Sequence, residues 1–248
     1  TAPLSTQNTW PALAWGDTDK DGKPEIYWGV VNATVPISGG IYQDIPRILV
    51  YEHPGGKTDD MGVSDGIGGF LPNATTNIMP GTGLNIRPFR FLIADVDKDN
   101  KDEIVFCDRA PSTTNTTAVH LGVMSVDKIP DLGGGGEKWT LEYNASLDAT
   151  VKSTNSAKWD VAFLNNVIYM FEASGRVVGV KYENNAWKVV KAQTSFNSIG
   201  SFKGTKVVDI NKDGKNEILL ADWFNNAKGA GAKVWLLQQV ADTLQATA

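Results

Sequence analysis

Three short acidic segments carry the residue types and spacing that hold a hard cation. Asp17, Asp19 and Asp21 alternate ahead of Gly22 and Glu25; Asp95, Asp97 and Asp99 ahead of Asn100 and Glu103; Asp209, Asn211 and Asp213 ahead of Gly214 and Glu217. Oxygens at positions 1, 3 and 5 of a curling loop converge on one centre, and a Gly or Asn at position 6 takes the positive φ of the sharp bend. A backbone carbonyl at position 7, here from Lys23, Lys101 and Lys215, adds a ligand while the lysine side chains can stay in water. The ninth-position glutamate closes the cage. Five or more protein oxygens suit Ca²⁺ better than Mg²⁺, which demands a tight octahedron and keeps several waters. The spacing therefore predicts three structural Ca²⁺ ions as cofactors.

Two competing readings fail against the repetition. An EF-hand needs a bidentate glutamate at position 12 and a helix on either side, but position 12 is Trp28, Phe106 and Leu220, each inside a β-prone apolar run. Plain polar turns also use Asp, Asn and Gly. Three copies that agree at every decisive position, each leading into the same kind of apolar strand, favour a metal loop.

The elements that position these loops follow from the flanking residues. Apolar stretches precede each loop (Leu13 to Trp15, Phe91 to Ala94, Val207 to Val208) and follow it (Ile26 to Trp28, Ile104 to Phe106, Ile218 to Leu220), so each loop joins two strands. Residues 159–191 carry no acidic loop and read as a four-stranded meander. Two-residue turns at Asn165-Asn166 and Asn184-Asn185 are its hairpin signals. Its first hairpin sits where the other repeats carry acid, so the metal loop is an elaborated first hairpin. Further strands are predicted at Arg47 to Glu52, Val119 to Val126, Lys138 to Tyr143 and Lys233 to Val240. The Gly- and Pro-rich segment from His53 to Pro88 reads as too poor in strands for a full sheet. The fourth strand of the last repeat is left to the tail or the N-terminus. The expected fold is all-β, one domain over residues 1–248: a propeller or propeller-like array of about four four-stranded antiparallel blades, near 10–88, 89–150, 155–195 and 200–245.

The loops and their strands resemble the FG-GAP or VCBS repeats of integrin-α-like β-propellers over most of residues 10 to 240. The resemblance implies a calcium ion clipped into the first hairpin of a blade by Asp17, Asp19, Asp21, Glu25 and their counterparts. This chain departs from that pattern in its ninth-position Glu, in Asn100 in place of Gly, and in too few blades for a seven-bladed ring. Either the ring closes on its own ends or a neighbour completes it.

Composition narrows the partners. Hydrophobic residues at 42% and charged residues at 21% belong to a chain that folds rather than to a disordered tail. A net charge of −5, with no Lys/Arg cluster among aromatics, argues against nucleic acid and anionic membranes as partners. No apolar run approaches the roughly 18 residues of a spanning helix, so no membrane insertion is expected. The chain opens on Thr1 rather than Met, which suits a secreted product after signal removal and equally a trimmed piece. Cys107 is the only cysteine and reads as core filler. His53 and His120 belong to no nucleophile or zinc motif, so no catalytic residue is assigned. Asn32, Asn73, Asn115 and Asn144 begin Asn-x-Ser/Thr sequons and are glycosylation candidates. Trp10, Trp15, Trp28, Trp159 and Trp187 mostly fall in strands, where core packing accounts for them, and Trp223 reads as the exposed one. The expected function is a non-enzymatic, calcium-stabilised extracellular scaffold for adhesion or surface assembly, including a filament subunit. Its partners would be other protein chains or glycans. The alternatives are a carbohydrate- or protein-binding module and a propeller enzyme acting on polysaccharide.

Overall fold

β-branched and aromatic runs on either side of each acidic loop form strands, and the strands collect into four four-stranded antiparallel sheets. The computed structural model describes residues 12–29, 36–37, 41–42, 46–76, 88–108, 121–145, 148, 151, 158–172, 175–193, 204–221 and 234–247. The first sheet holds β1 (Ala12–Gly16) and β2 (Glu25–Gly29), then, past the small hairpin β3 (Pro36–Ile37) and β4 (Ile41–Tyr42), β5 (Ile48–Glu52). A second small hairpin, β6 (Val63–Ser64) and β7 (Phe70–Leu71), precedes its last strand, β8 (Ala74–Thr76). The second sheet is β9 (Pro88–Ala94), β10 (Glu103–Asp108), β11 (Leu121–Val126) and β12 (Trp139–Asn144). The third is β13 (Lys158–Leu164), β14 (Val167–Glu172), β15 (Val177–Glu183) and β16 (Ala186–Gln193); the fourth is β17 (Lys206–Val208), β18 (Glu217–Ala221), β19 (Val234–Val240) and β20 (Thr243–Thr247). In each, the four strands pair in chain order.

The Asn-Asn pairs behave as their chemistry dictates. Asn165 and Asn166 take φ of 46° and 65°, and Asn184 and Asn185 take 55° and 59°, the double left-handed geometry of a two-residue hairpin turn. One expectation changes, and one open alternative is decided. Residues 53–88 are not too poor in strands, because Ala74–Thr76 completes the first sheet, with Ile48 opposite Thr76 and Val50 opposite Ala74. Three residues cannot show a period of two, so only pairing with β5 reveals that strand. At the other end, the tail completes the fourth sheet: β20 folds back on β19 through Ala241 at φ 54°.

The core lies between consecutive sheets. Tyr27, Ile48 and Val50 meet Phe91, Ile104, Phe106 and Met124. Val105, Leu121 and Val123 meet Val161, Ile168, Met170 and Val178. Leu164, Tyr169 and Phe171 meet Ile218, Leu220 and Leu237. The leading strands lie closest together: β9 packs against both β1 and β13, and β13 against β17. Close approach explains two glycines, since a Cβ at Gly29 would stand 2.7 Å from the Phe91 ring and one at Gly16 2.4 Å from Ile93. Cys107 is fully buried beside Phe89, on whose ring Trp159 stacks at 4.5 Å.

Trp28, Trp159 and Trp187 pack against neighbours, Trp28 against Leu49 and Tyr51 and Trp187 against Tyr143 at 5.2 Å. Trp15 does not: it is 77% exposed. Trp10 and Trp223 lie outside the described residues.

Candidate metal centres

Each acidic loop connects the first two strands of its sheet, β1–β2, β9–β10 and β17–β18, and four hydrogen bonds recur at equivalent places. The position-6 amide donates to the position-1 carboxylate: Gly22 to Asp17 at 3.1 Å, Asn100 to Asp95 at 3.2 Å, Gly214 to Asp209 at 2.9 Å. The position-5 amide donates to position 3: Asp21 to Asp19 at 3.2 Å, Asp99 to Asp97 at 3.0 Å, Asp213 to Asn211 at 2.9 Å. The position-7 amides of Lys23, Lys101 and Lys215 donate to Asp21, Asp99 and Asp213 at 2.7–2.8 Å. The position-2 amides of Thr18, Val96 and Ile210 donate to Glu25, Glu103 and Glu217 at 2.9–3.2 Å. Backbone donors thus turn the acidic side chains inward.

The bends follow from left-handed residues. Gly22, Asn100 and Gly214 take φ of 87°, 69° and 87°, as position 6 requires. Position 4 is left-handed too: Lys20 at 60°, Lys98 at 69° and Lys212 at 62°. Lysine has no preference for that region, so its type gave no warning.

The ninth-position glutamates are the decisive groups. Glu25, Glu103 and Glu217 are 0%, 1% and 2% exposed. Among the described residues, Glu25 Oε1, Glu103 Oε1 and Asp17 Oδ1 are buried without a hydrogen-bond partner. Burial pushes the carboxyls of Glu25 and Glu103 up to about 8. Tyr27 donates to Glu25 Oε2 at 2.6 Å and in turn receives the Thr18 hydroxyl at 2.7 Å, which fixes that carboxylate from behind. An orphaned buried carboxylate oxygen calls for a cation or a proton.

Asp17, Asp19, Asp21 and Glu25 each bring one oxygen within 4.8 Å of the others, and so do Asp95, Asp97 and Asp99. Both groups could hold a metal ion. Glu103 stands outside the second close group. In the third loop Asn211 supplies an amide, and its Nδ2 donates to Asp213 at 3.0 Å.

The first loop is also gripped from the second sheet. Ile129 donates its amide to Asp19 at 2.6 Å, and Lys23 pairs with Asp131, both partners lying in the β11–β12 connection. The Lys23 side chain is thus held by acidic partners and only partly in water. Lys23 stands 3.0 Å from Asp21 and 3.6 Å from Glu52, so its ammonium fills the further acidic group Asp21, Glu52 and Asp131. Burial pushes Glu52 up to about 7. Lys101 and Lys215 are exposed.

The sequons divide. Asn73 is 3% exposed; its Oδ1 accepts the Glu52 amide at 2.8 Å, and its Nδ2 donates to the carbonyls of Pro130 and Asp131 at 3.1 Å each. A glycan on Nδ2 does not fit that packing. Asn144 is half-buried at the end of β12, while Asn32 and Asn115 lie outside the described residues, as does His120. His53 serves a turn, its Nδ1 accepting the Gly55 amide at 3.0 Å and its Nε2 donating to the Thr58 carbonyl at 2.9 Å. Beside the first loop, Trp15, Asp17, Gly22, Pro24, Ile93 and Asp102 line an open cleft of about 490 Å³.

No family model matches the chain, and no curated protein or solved structure is significantly similar to it.

Proposed function

We propose that the chain is a non-enzymatic extracellular scaffold, a propeller-like array of four blades stabilised by calcium and used in adhesion or surface assembly. The observation that carries this reading is the threefold recurrence of one loop, with the same hydrogen bonds at positions 1, 3, 5 and 9 and a buried glutamate behind each. Hard oxygen ligands select Ca²⁺, and loops of this kind bind in the micromolar-to-millimolar range that extracellular fluid supplies. In this reading the position-7 carbonyls of Lys23, Lys101 and Lys215 complete each shell. Each ion would stabilise the fold by about 2.7 kcal/mol at a hundredfold excess over its dissociation constant. The test is thermal unfolding in EDTA, Mg²⁺ and Ca²⁺. The melting temperature should rise by about 5 °C or more per occupied loop in Ca²⁺ and by less in Mg²⁺. An identical transition in EDTA and Ca²⁺ would sink the reading.

A carbohydrate-binding module is the second reading, favoured by the flat, 77% exposed Trp15 beside Asp17 and Asp102 in the open cleft. Glycan-array binding that is lost in Trp15→Ala would support it.

A further inference from the structure

Every internal junction between consecutive sheets uses the leading strand of the later sheet, and counterparts can be aligned on the acidic loops. Four residues ahead of the first loop aspartate, the second sheet has Phe91, 2% exposed, whose ring lies 2.7 Å from where a Cβ on Gly29 would stand, with Ala12 beside it. The fourth sheet has Thr205 there, 4% exposed, whose hydroxyl donates to the Val161 carbonyl of the third sheet at 3.2 Å. The first sheet has Leu13, and it is 62% exposed. Two residues on, Ile93 covers Gly16 and Val207 packs in the core between the third and fourth sheets, but their counterpart Trp15 is 77% exposed. Among the described residues the first sheet therefore presents a seating face on which these two side chains stand exposed.

The fourth sheet presents the matching seat. Ile218 and Leu220 face the third sheet, so the residues that alternate with them, together with their cross-strand partners, face away from it. Val234, opposite Ala221, is 74% exposed, and Val240 on the same face is 48% exposed. Counting from the loops, Gly204 and Ala221 occupy the places that Ala12 and Gly29 occupy in the first sheet, and a Cβ on Gly204 would lie 3.9 Å from that of Ala221. The pair of small residues that receives Phe91 is thus repeated at the far end of the array.

Among the described residues both faces are exposed in the same chain, so the described part of the fourth sheet does not cover Leu13 and Trp15 of the first. We infer that the occupant is a second copy: Leu13 of one molecule seats over Gly204 and Ala221 of the next. Such a contact joins unlike surfaces, leaves one of each free, and propagates head to tail. The inference rests on the assembly reading above and names its two surfaces.

The test uses the full chain in Ca²⁺ with light scattering over a concentration series. Leu13→Glu blocks one face and Val234→Glu the other; Leu13→Lys and Val240→Lys repeat the design if either glutamate variant fails to fold. The wild type should grow in mass with concentration, each variant alone should stay at 26.8 kDa, and an equimolar mixture of the two should give twice that mass, because each retains the face the other lacks. A monomeric wild type across the series, or a mixture that stays monomeric, overturns the inference. The calcium-dependent melting shift is read on the same samples. If that shift persists without association, the docking fails alone; if it is absent, the metal reading fails.

Discussion

At Glu103 the burial that folding imposes meets the proposed metal binding. Its Oε2 holds the Val96 amide, its Oε1 is buried without a partner among the described residues, and burial lifts its carboxyl to about 8. Glu103→Gln keeps a hydrogen-bond acceptor for Val96 and removes the negative charge. It should lower the Ca²⁺ stoichiometry by one in isothermal titration while leaving metal-free stability equal or higher. The same chemistry sets a pH dependence. Glu25 and Glu103 titrate near 4.5 when exposed and near 8 in the metal-free fold, so the fold binds these protons more tightly than the unfolded chain does. Their stabilising contribution is complete below about 4.5 and is lost as pH rises through about 8. Urea unfolding in EDTA should give a higher midpoint at about pH 5 than at about pH 8.5, and saturating Ca²⁺ should remove or reverse that order. A higher EDTA midpoint at the alkaline end would contradict the buried, proton-binding state of these groups.

Turns set the shape of each strand pair. Lys20, Lys98 and Lys212 sit at positive φ with no side-chain reason to do so. Lys212→Gly should stabilise the metal-free protein by about 0.5–1 kcal/mol, since Gly enters that region freely and Lys does not. In the loop-free hairpin, Asn166 at φ 65° tolerates the same region, whereas Asn166→Val should cost about 1–2 kcal/mol in thermal unfolding. The two substitutions test one rule in opposite directions. The β11–β12 connection adds a tertiary constraint to the first loop alone, through Ile129 on Asp19 and Asp131 on Lys23.

Across the array, a buried carboxylate ties three sheets together. Asp160 of β13 is fully buried, accepts the amides of Val161, Gly204 and Thr205 at 2.7–2.9 Å, and pairs with Arg90 of β9 at 3.3 Å. It links the second, third and fourth sheets. Asp160→Asn leaves a donor facing donors, so the loss should be about 2–4 kcal/mol, read as a lower denaturation midpoint. Because none of the clasp residues belongs to an acidic loop, any Ca²⁺ stoichiometry should stay unchanged in that variant.

The acidic loops, the flanking strands and the two Asn-Asn hairpins were readable from residue types, because each depends on neighbours within about ten positions. The hidden features are set by distant partners. Ala74–Thr76 becomes a strand only because β5 pairs with it. Asn73 fits a sequon, but the β11–β12 connection buries it, and Trp15 sits in an apolar strand, yet among the described residues it stands exposed. The amino-acid order therefore specified each acidic loop and its flanking strands, through local backbone preference and the spacing of the carboxylates. Which face of each sheet is covered, and which is left exposed, depended on the packing of one sheet against the next.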